Sequence, residues 1–489
     1  MTTATRPTAP AAPAEVPAEH APAEPAARSA LYSGFGPLLR RLHFYAGVLV
    51  APFLLVSALT GLLYAFTPQF DQIAYHDQLH VDAVGTSTVA LSQQVATAQQ
   101  TVPGGTLVAV HPAGAPDATT KVDFALPELG ENVRSVYIDP YTGHVRGVLA
   151  TWFGSTPIAT WLDKMHANLN LGEAGSIYSE LAASWLWVLV LGGVVLWWRH
   201  QRGRRTARRL LLADPGASGV RRTRSLHAVT GLWLAVFLLI LSATGLTWST
   251  YAGANFDAVR SVLNSDAVPL NTSLDGITAS GEGAHHGSGT TGGTVGADLD
   301  AIAAAAAKSH LTGPTTITPG EPGQAWTVEQ VDNTWPVHKD KIAVHPHTGQ
   351  IVDFVAWADQ PLLSKLTTAG IMVHMGVLFG LPNQIALALI ALGLITVIVW
   401  GYRMWWRRRP TRDPRRHRLG TPPPRGTWRH VPVPALVITV LVVVAIGWAL
   451  PLLGLTLLAF IVLDAVAGLV RRRAGRRNGA VPQQVTESS

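Results

Sequence analysis

Two histidines stand at matched places near the start of two hydrophobic runs. Arg41-Leu42-His43 opens a run that closes at Thr60-Gly61, and Ser225-Leu226-His227 opens another that closes at Thr244-Gly245. The His-to-Gly separation is the same in both, and each His is followed four residues later by glycine, Gly47 and Gly231. Positions i and i+4 share a helix face, so each imidazole has space cleared one turn away. A second pair follows the same logic: His166 and His374 each stand six residues before a glycine, Gly172 and Gly380, just ahead of a further apolar run. Ionisable side chains at membrane depth default to a functional role. Neutral imidazoles on facing helices can serve as the two axial ligands of a b-type haem that carries electrons without binding oxygen. The candidate ligands are therefore His43 with His227 and His166 with His374, with Gly47 and Gly231 making room for a flat macrocycle and one or two haems b as the cofactor. Met165 and Met375, which adjoin the second pair, are alternative ligands.

The composition suits such a site. Of 489 residues, 48% are hydrophobic and 14% charged, which is too apolar for an ordinary soluble protein and fits a polytopic membrane protein. The absence of cysteine excludes disulfides, iron–sulfur clusters and thiolate-ligated haem within this chain. Residues 1–30, rich in Ala, Pro and Glu, read as a disordered tail without the pattern of a signal peptide.

A spanning helix needs about 20 apolar residues. Six segments qualify: 42–66, 177–198, 226–251 and 384–406, then a hairpin of 431–450 and 451–470 in a C-terminal region 411–489. Arginine crowds the loops after Trp198 and Trp406 and the final tail, whereas 67–165 holds only Lys121, Arg134, Arg146 and Lys164 as basic residues. By the positive-inside rule both termini and the arginine-rich loops are cytoplasmic. The net charge of +7 is thus a topology signal, and no nucleic acid is expected as a partner; the membrane lipid is. Asp464, near the inner end of the last span, is expected to reach the interface.

Two extracytoplasmic segments remain, 71–160 and 298–360, each reading as a helix and then short strands. The first has a helix over 90–101 and strands over 107–111, 121–125, 133–139 and 145–149. The second has a helix over 298–310 and strands over 325–330, 340–345 and 351–355. Asp139-Pro140-Tyr141-Thr142-Gly143 and His345-Pro346-His347-Thr348-Gly349 are matching turns. Before the second helix lies a Gly/Ser/Thr linker, 276–296, whose His285-His286 is most simply solvated. The order span, outer domain, outer histidine, span thus occurs twice, in 31–210 and 211–410. Both copies start inside, so the repeat is parallel. A pseudo-two-fold axis along the membrane normal brings His43 toward His227 and His166 toward His374.

With these residues in view, the chain resembles the family of PepSY-associated transmembrane helix proteins. The resemblance rests on Arg41-Leu42-His43 through Gly47, Thr60-Gly61, the Asp139-Pro140-x-Thr142-Gly143 turn, and the His166 segment ending in Trp197-Trp198. It covers about 30–410. It implies a four-helix membrane core with two small α+β PepSY-like domains outside the cytoplasmic membrane, to which this chain adds a C-terminal hairpin. It also implies that the four histidines hold b-type haem, as in inner-membrane reductases of ferric siderophores, although other PepSY proteins are regarded as peptidase inhibitors or regulators. In the second turn His345 replaces the Asp, which adds a candidate metal or substrate contact at His345 and His347.

Haems near both faces give a concrete expectation: electrons enter inside, pass between two levels, and reduce an acceptor outside, such as a ferric siderophore. No strand–GxGxxG–helix unit occurs, so the donor is a quinol or a separate protein. Tyr64 and Trp248 flank the outlet or serve as belt residues. The competing readings are a non-enzymatic envelope regulator or peptidase-binding protein, and a transporter, which the scarcity of charge in the spans disfavours.

Overall fold

The computed structural model describes residues 24–152, 154–201, 211–274, 297–407 and 432–478; the linker with His285-His286 lies outside them. The first membrane segment is two helices, α1 (Glu24–Leu49) and α2 (Ala51–Tyr64), set at 54° to one another. The break falls where Pro52 removes a backbone donor. Helix α1 starts at Glu24, inside the stretch expected as a disordered tail; Glu24, Ala26, Ala27, Arg28 and Ala30 are strong helix formers. Short helices α3 (Thr67–Ala74) and α4 (His76–Leu79) lead to α5 (Leu91–Thr101) and strands β1 (Thr106–His111), β2 (Thr120–Ala125), β3 (Val133–Ile138) and β4 (Val145–Thr151). Helix α6 (Pro157–Asn168) then returns to the bundle and α7 (Glu173–Gln201) crosses it.

The second half runs α8 (Gly219–Leu246), α9 (Thr250–Val262), α10 (Leu299–Lys308), β5 (Thr315–Thr318), β6 (Trp326–Gln330), β7 (Lys341–Val344), β8 (Ile351–Val355), α11 (Leu362–Met375) and α12 (Leu381–Arg407). The C-terminal hairpin is α13 (Val433–Ala449) and α14 (Pro451–Asn478). Among the described residues α7, α8, α12 and the apolar part of α14 are each long and apolar enough to cross a membrane, and the bent pair of residues 35–49 and 51–64 counts as a fifth when taken as one broken span. Helix α13, expected as a sixth span, is a shorter apolar helix of 17 residues. Polar cross-links join the bundle where water is absent: Trp187 Nε1 donates to Ser242 Oγ at 3.0 Å, and the Tyr402 hydroxyl donates to the Val48 carbonyl at 2.9 Å, beside the break in α1–α2.

The two outer segments do not fold as separate domains. Their strands form one antiparallel sheet in the order β4-β3-β2-β1-β5-β6-β7-β8, joined at Val110 and Ile317. One face carries Val122, Phe124, Val136, Ile138, Val328, Ile342 and Val344, all buried beneath α5 and α10 in a single shared core. Strand β5, Thr-Thr-Ile-Thr, had no clear signal in the sequence, being four residues long with one buried apolar side chain. The matching turns use different chemistry for one purpose. Asp139 Oδ1 accepts from the Tyr141 and Thr142 amides, whereas His345 Nδ1 accepts from those of His347 and Thr348. His345 is a turn cap, and that nitrogen is not free for a metal.

The opposite face of the sheet holds a polar cluster at the seam. His111 bridges Asp123 Oδ2 and Thr316 Oγ1, each at 2.9 Å, and Asp123 Oδ1 accepts from Ser135 at 2.5 Å. Burial alone raises the Asp123 carboxyl, but the His111 hydrogen bond, the Lys121 charge and Ser135 outweigh it and hold it below its ordinary 3.8. A depressed carboxyl contributes stability that is complete above the ordinary value and is lost as pH falls through the depressed one. Asp123→Asn is therefore expected to lower stability at neutral pH by about 1.5–3 kcal/mol and to flatten the acid limb below 3.8. Thermal unfolding of the sheet followed by circular dichroism across pH 2–7 checks this; an unchanged acid limb refutes it.

Candidate functional site

The sheet-proximal end of the bundle gathers His166 and His374. Neither lies on a spanning helix. His166 is in the last turn of α6, which Thr156 caps by accepting from the Ala159 amide, and His374 is in the last turn of α11, which Gly376 ends in the left-handed region. The two rings stand with centroids 6.2 Å apart and planes inclined by 55°. Each packs on a glycine of a long helix: a Cβ at Gly61 would lie 3.0 Å from His166 Cε1, and one at Gly245 would lie 3.1 Å from His374 Cε1. Thr60-Gly61 and Thr244-Gly245, read in the sequence as span ends, are thus the floors of two histidine seats.

The threonines fix the histidine tautomer. Thr60 Oγ1 is in donor reach of the Val56 and Ser57 carbonyls, at 2.9 and 3.2 Å, and lies 3.1 Å from His166 Nδ1. Thr244 Oγ1 is likewise in reach of the Ile240 and Leu241 carbonyls and lies 2.9 Å from His374 Nδ1. With each threonine hydrogen on its helix carbonyl, we assign the imidazole proton to Nδ1. Each Nε2 keeps its lone pair, the arrangement that second-shell acceptors impose on metal-ligating histidine.

The other end of the bundle, flanked by arginines, holds His43 and His227. They line one cavity of about 1000 Å³ between α1, α7, α8 and α12. His227 Nδ1 donates to the Val397 carbonyl at 2.9 Å, which again leaves Nε2 unprotonated. His43 lies toward the corresponding Leu189 carbonyl without reaching hydrogen-bond geometry, and its Nδ1 is buried and unpartnered. Gly47 and Gly231 both line the cavity; a Cβ on Gly231 would meet nothing within 4 Å. The glycines that touch the imidazoles are instead on the partner helices: a Cβ on Gly193 would lie 3.2 Å from His43, and one on Gly401 would lie 3.6 Å from His227. Both stand four residues before a tryptophan, Trp197 and Trp405, a signal that was readable. Arg40, Arg199, Arg221 and Arg224 border the same cavity.

All four histidines keep some accessible surface, and His43 and His227 line the cavity. Met404 borders the cavity, whereas Met165 and Met375 do not. Trp248 is exposed, Tyr64 is half-buried, and neither hydrogen-bonds a histidine among the described residues. Asp71 and Asp163, unmarked in the sequence reading, stand near Tyr64, and burial holds both carboxyls above their usual range.

The family model of the PepSY-associated TM region matches residues 40–408. The chain belongs to that family. No individual curated protein matches it. The matched region of this PepSY-associated protein contains all four histidines, their glycine seats and both threonines, and it ends before the C-terminal hairpin.

The assigned hydrogen bonds have a direct test. Thr60→Val removes the acceptor and is expected to shift His166 from the Nδ1–H toward the Nε2–H tautomer, with Thr60→Ser retaining the original. Nitrogen-15 NMR of histidine-labelled protein reads the tautomer; an unchanged spectrum in Thr60→Val refutes the assignment.

Proposed function

We propose that the protein is a transmembrane electron-transfer protein that holds b-type haem at two levels and reduces an acceptor outside the cytoplasmic membrane. In this reading the two halves are parallel repeats and the sheet is a fused pair of PepSY-like domains. The arginine end faces the cytoplasm.

One observation carries the proposal: the 6.2 Å separation of His166 and His374, each with Nδ1 committed as a donor. Two imidazoles at that spacing, each with an Nε2 left to ligate, would hold one metal-centred group between them. At the arginine end the fit rests on the cavity, the buried unpartnered Nδ1 of His43, and the open space over Gly231. Its lining is mostly apolar, with arginines that suit the carboxylates of a porphyrin. His43 and His227 would hold one group, and His166 and His374 the other.

Bound haem supplies one-electron transfer at a potential set by its surroundings. The chain's residues do the rest. The threonines and the Val397 carbonyl orient the imidazoles and set which ring nitrogen faces the helix. The glycines let the rings approach their helices, and the arginines favour negative charge at the end where electrons enter. His227 and Thr244 are 17 positions apart on the unbroken α8, or about 25 Å at 1.5 Å per residue, so the two levels divide the membrane crossing. Outside, ferric iron in a siderophore is the proposed acceptor; inside, a quinol or a separate protein is the donor.

Purified protein in detergent is expected to give sharp α and Soret bands on dithionite reduction. His166→Ala and His374→Ala remove one set of signals, and His43→Ala and His227→Ala the other. Folded, colourless protein sinks the electron-transfer reading, and full haem in all four variants sinks the ligand assignment. In proteoliposomes loaded with a reductant, an external ferric chelate is expected to be reduced by the wild type and not by His166→Ala.

A further inference from the structure

The two halves treat their arginine-end histidines differently. His227 sits on α8, an unbroken helix of 28 residues, and its ring is tied to the Val397 carbonyl. His43 sits on the far side of the 54° break, on an arm that does not continue the axis of α2, and its Nδ1 has no hydrogen bond. That arm packs along α7, which leaves its rotation and depth to be set.

The C-terminal hairpin is placed to set them. Arg41, two residues before His43, is 3% exposed and pairs with Asp464 of α14 at 2.9 Å. The position matching Arg41 in the second half is Ser225, whose Oγ accepts from the Asp214 amide. Asp464 thus does not simply reach the interface; it is committed to α1. The same face is sealed by Tyr45 against Phe460, with ring centroids 6.0 Å apart, and by Trp185 Nε1 donating to Thr456 at 2.9 Å. Leu453 is buried with Ala46 and Trp185. Breaking a buried ion pair by removing one partner is strongly destabilising, because the other charge is left without compensation.

We propose that the Arg41–Asp464 pair makes the C-terminal hairpin a positioning device for His43, fixing the rotation and depth of α1 so that this histidine keeps its aim into the cavity. His227 needs no such device. The consequence for cofactor ligation rests on the haem reading above; the grip on α1 does not.

The chain has no cysteine, so spin labels can be placed at will on the full-length protein. Arg40→Cys with Trp198→Cys reports on α1 against α7, and Arg224→Cys with Trp406→Cys is the matched control on α8 and α12. Asp464→Asn is expected to broaden the first distance distribution in pulsed electron paramagnetic resonance and leave the second unchanged. In unlabelled protein it is expected to remove the haem signal that His43→Ala removes while sparing the one lost in His166→Ala. The charge swap Arg41→Asp with Asp464→Arg is expected to restore both readouts. Equal behaviour of the two label pairs in Asp464→Asn, whether both stay narrow or both broaden, overturns the proposal. So does a broadened first pair with both haem signals intact. If the wild type carries no haem and only the first pair broadens, the haem reading fails and the grip on α1 stands.

Discussion

An imidazole inside an apolar bundle is neutral, and its one N–H has to be satisfied. At the sheet end this is met by a threonine whose own hydrogen is already spent on its helix. A Ser or Thr hydroxyl bonding the carbonyl one turn back is an ordinary local habit, and Thr60 and Thr244 both adopt it. Its consequence here is tertiary. With that hydrogen on the helix carbonyl the hydroxyl accepts and the histidine donates from Nδ1, and the direction of each chain of hydrogen bonds runs from imidazole to threonine to helix backbone. Gly61 and Gly245 make the contact geometrically possible, since a side chain at either would displace the ring. The lone pair left on each Nε2 follows from these two requirements and not from any special basicity of the histidines.

The sheet enters through the same constraint. His166 and His374 are on short helices that follow β4 and β8, the two edge strands of the sheet. Were the outer segments independent domains, those helices would have no fixed relation to each other. Pairing of β1 with β5 and the His111–Thr316 hydrogen bond across the seam make the sheet one body. The two helices therefore start from one body, and their packing on α2 and α8 brings the rings together. A site that must hold its geometry within a fraction of an ångström gains from being carried on such an element.

Much of this was legible in the residues. The four histidines were marked by matched spacing, and seven of the eight strands by alternation of apolar and polar residues between turn signals. The spans were marked by length and hydropathy. What was not legible depends on the partner surface. Thr60 is indistinguishable in sequence from any threonine in an apolar helix, because its role is defined by a ring 106 residues away. Gly47 and Gly231 are adjacent to their histidines along the helix, but the glycines that seat the rings, Gly193 and Gly401, belong to other helices. Fusion of the two outer segments was hidden because β5 is short and its pairing with β1 is non-local. Asp464 read as an isolated charge since its partner stands 423 residues earlier.

The two ends of the bundle thus differ in kind. At the sheet end the two histidines have the same acceptor, the same glycine contact and the same helical setting, so their fields are alike. At the arginine end one histidine is tied to a carbonyl on a straight helix and the other is carried by a bent arm under the hairpin, with four arginines around the shared cavity. Positive charge beside a redox centre favours the form carrying the added electron, and a low-dielectric surround strengthens that preference. On the proposed reading, a group held at the arginine end would then sit at the higher potential, and one at the sheet end, with no cation among its histidines' hydrogen-bond partners, at the lower. A step from the first to the second is uphill, so outward flow would be drawn by an acceptor whose potential lies above both. The arginines and the hairpin set the difference between the ends; the direction of flow comes from the donor and the acceptor.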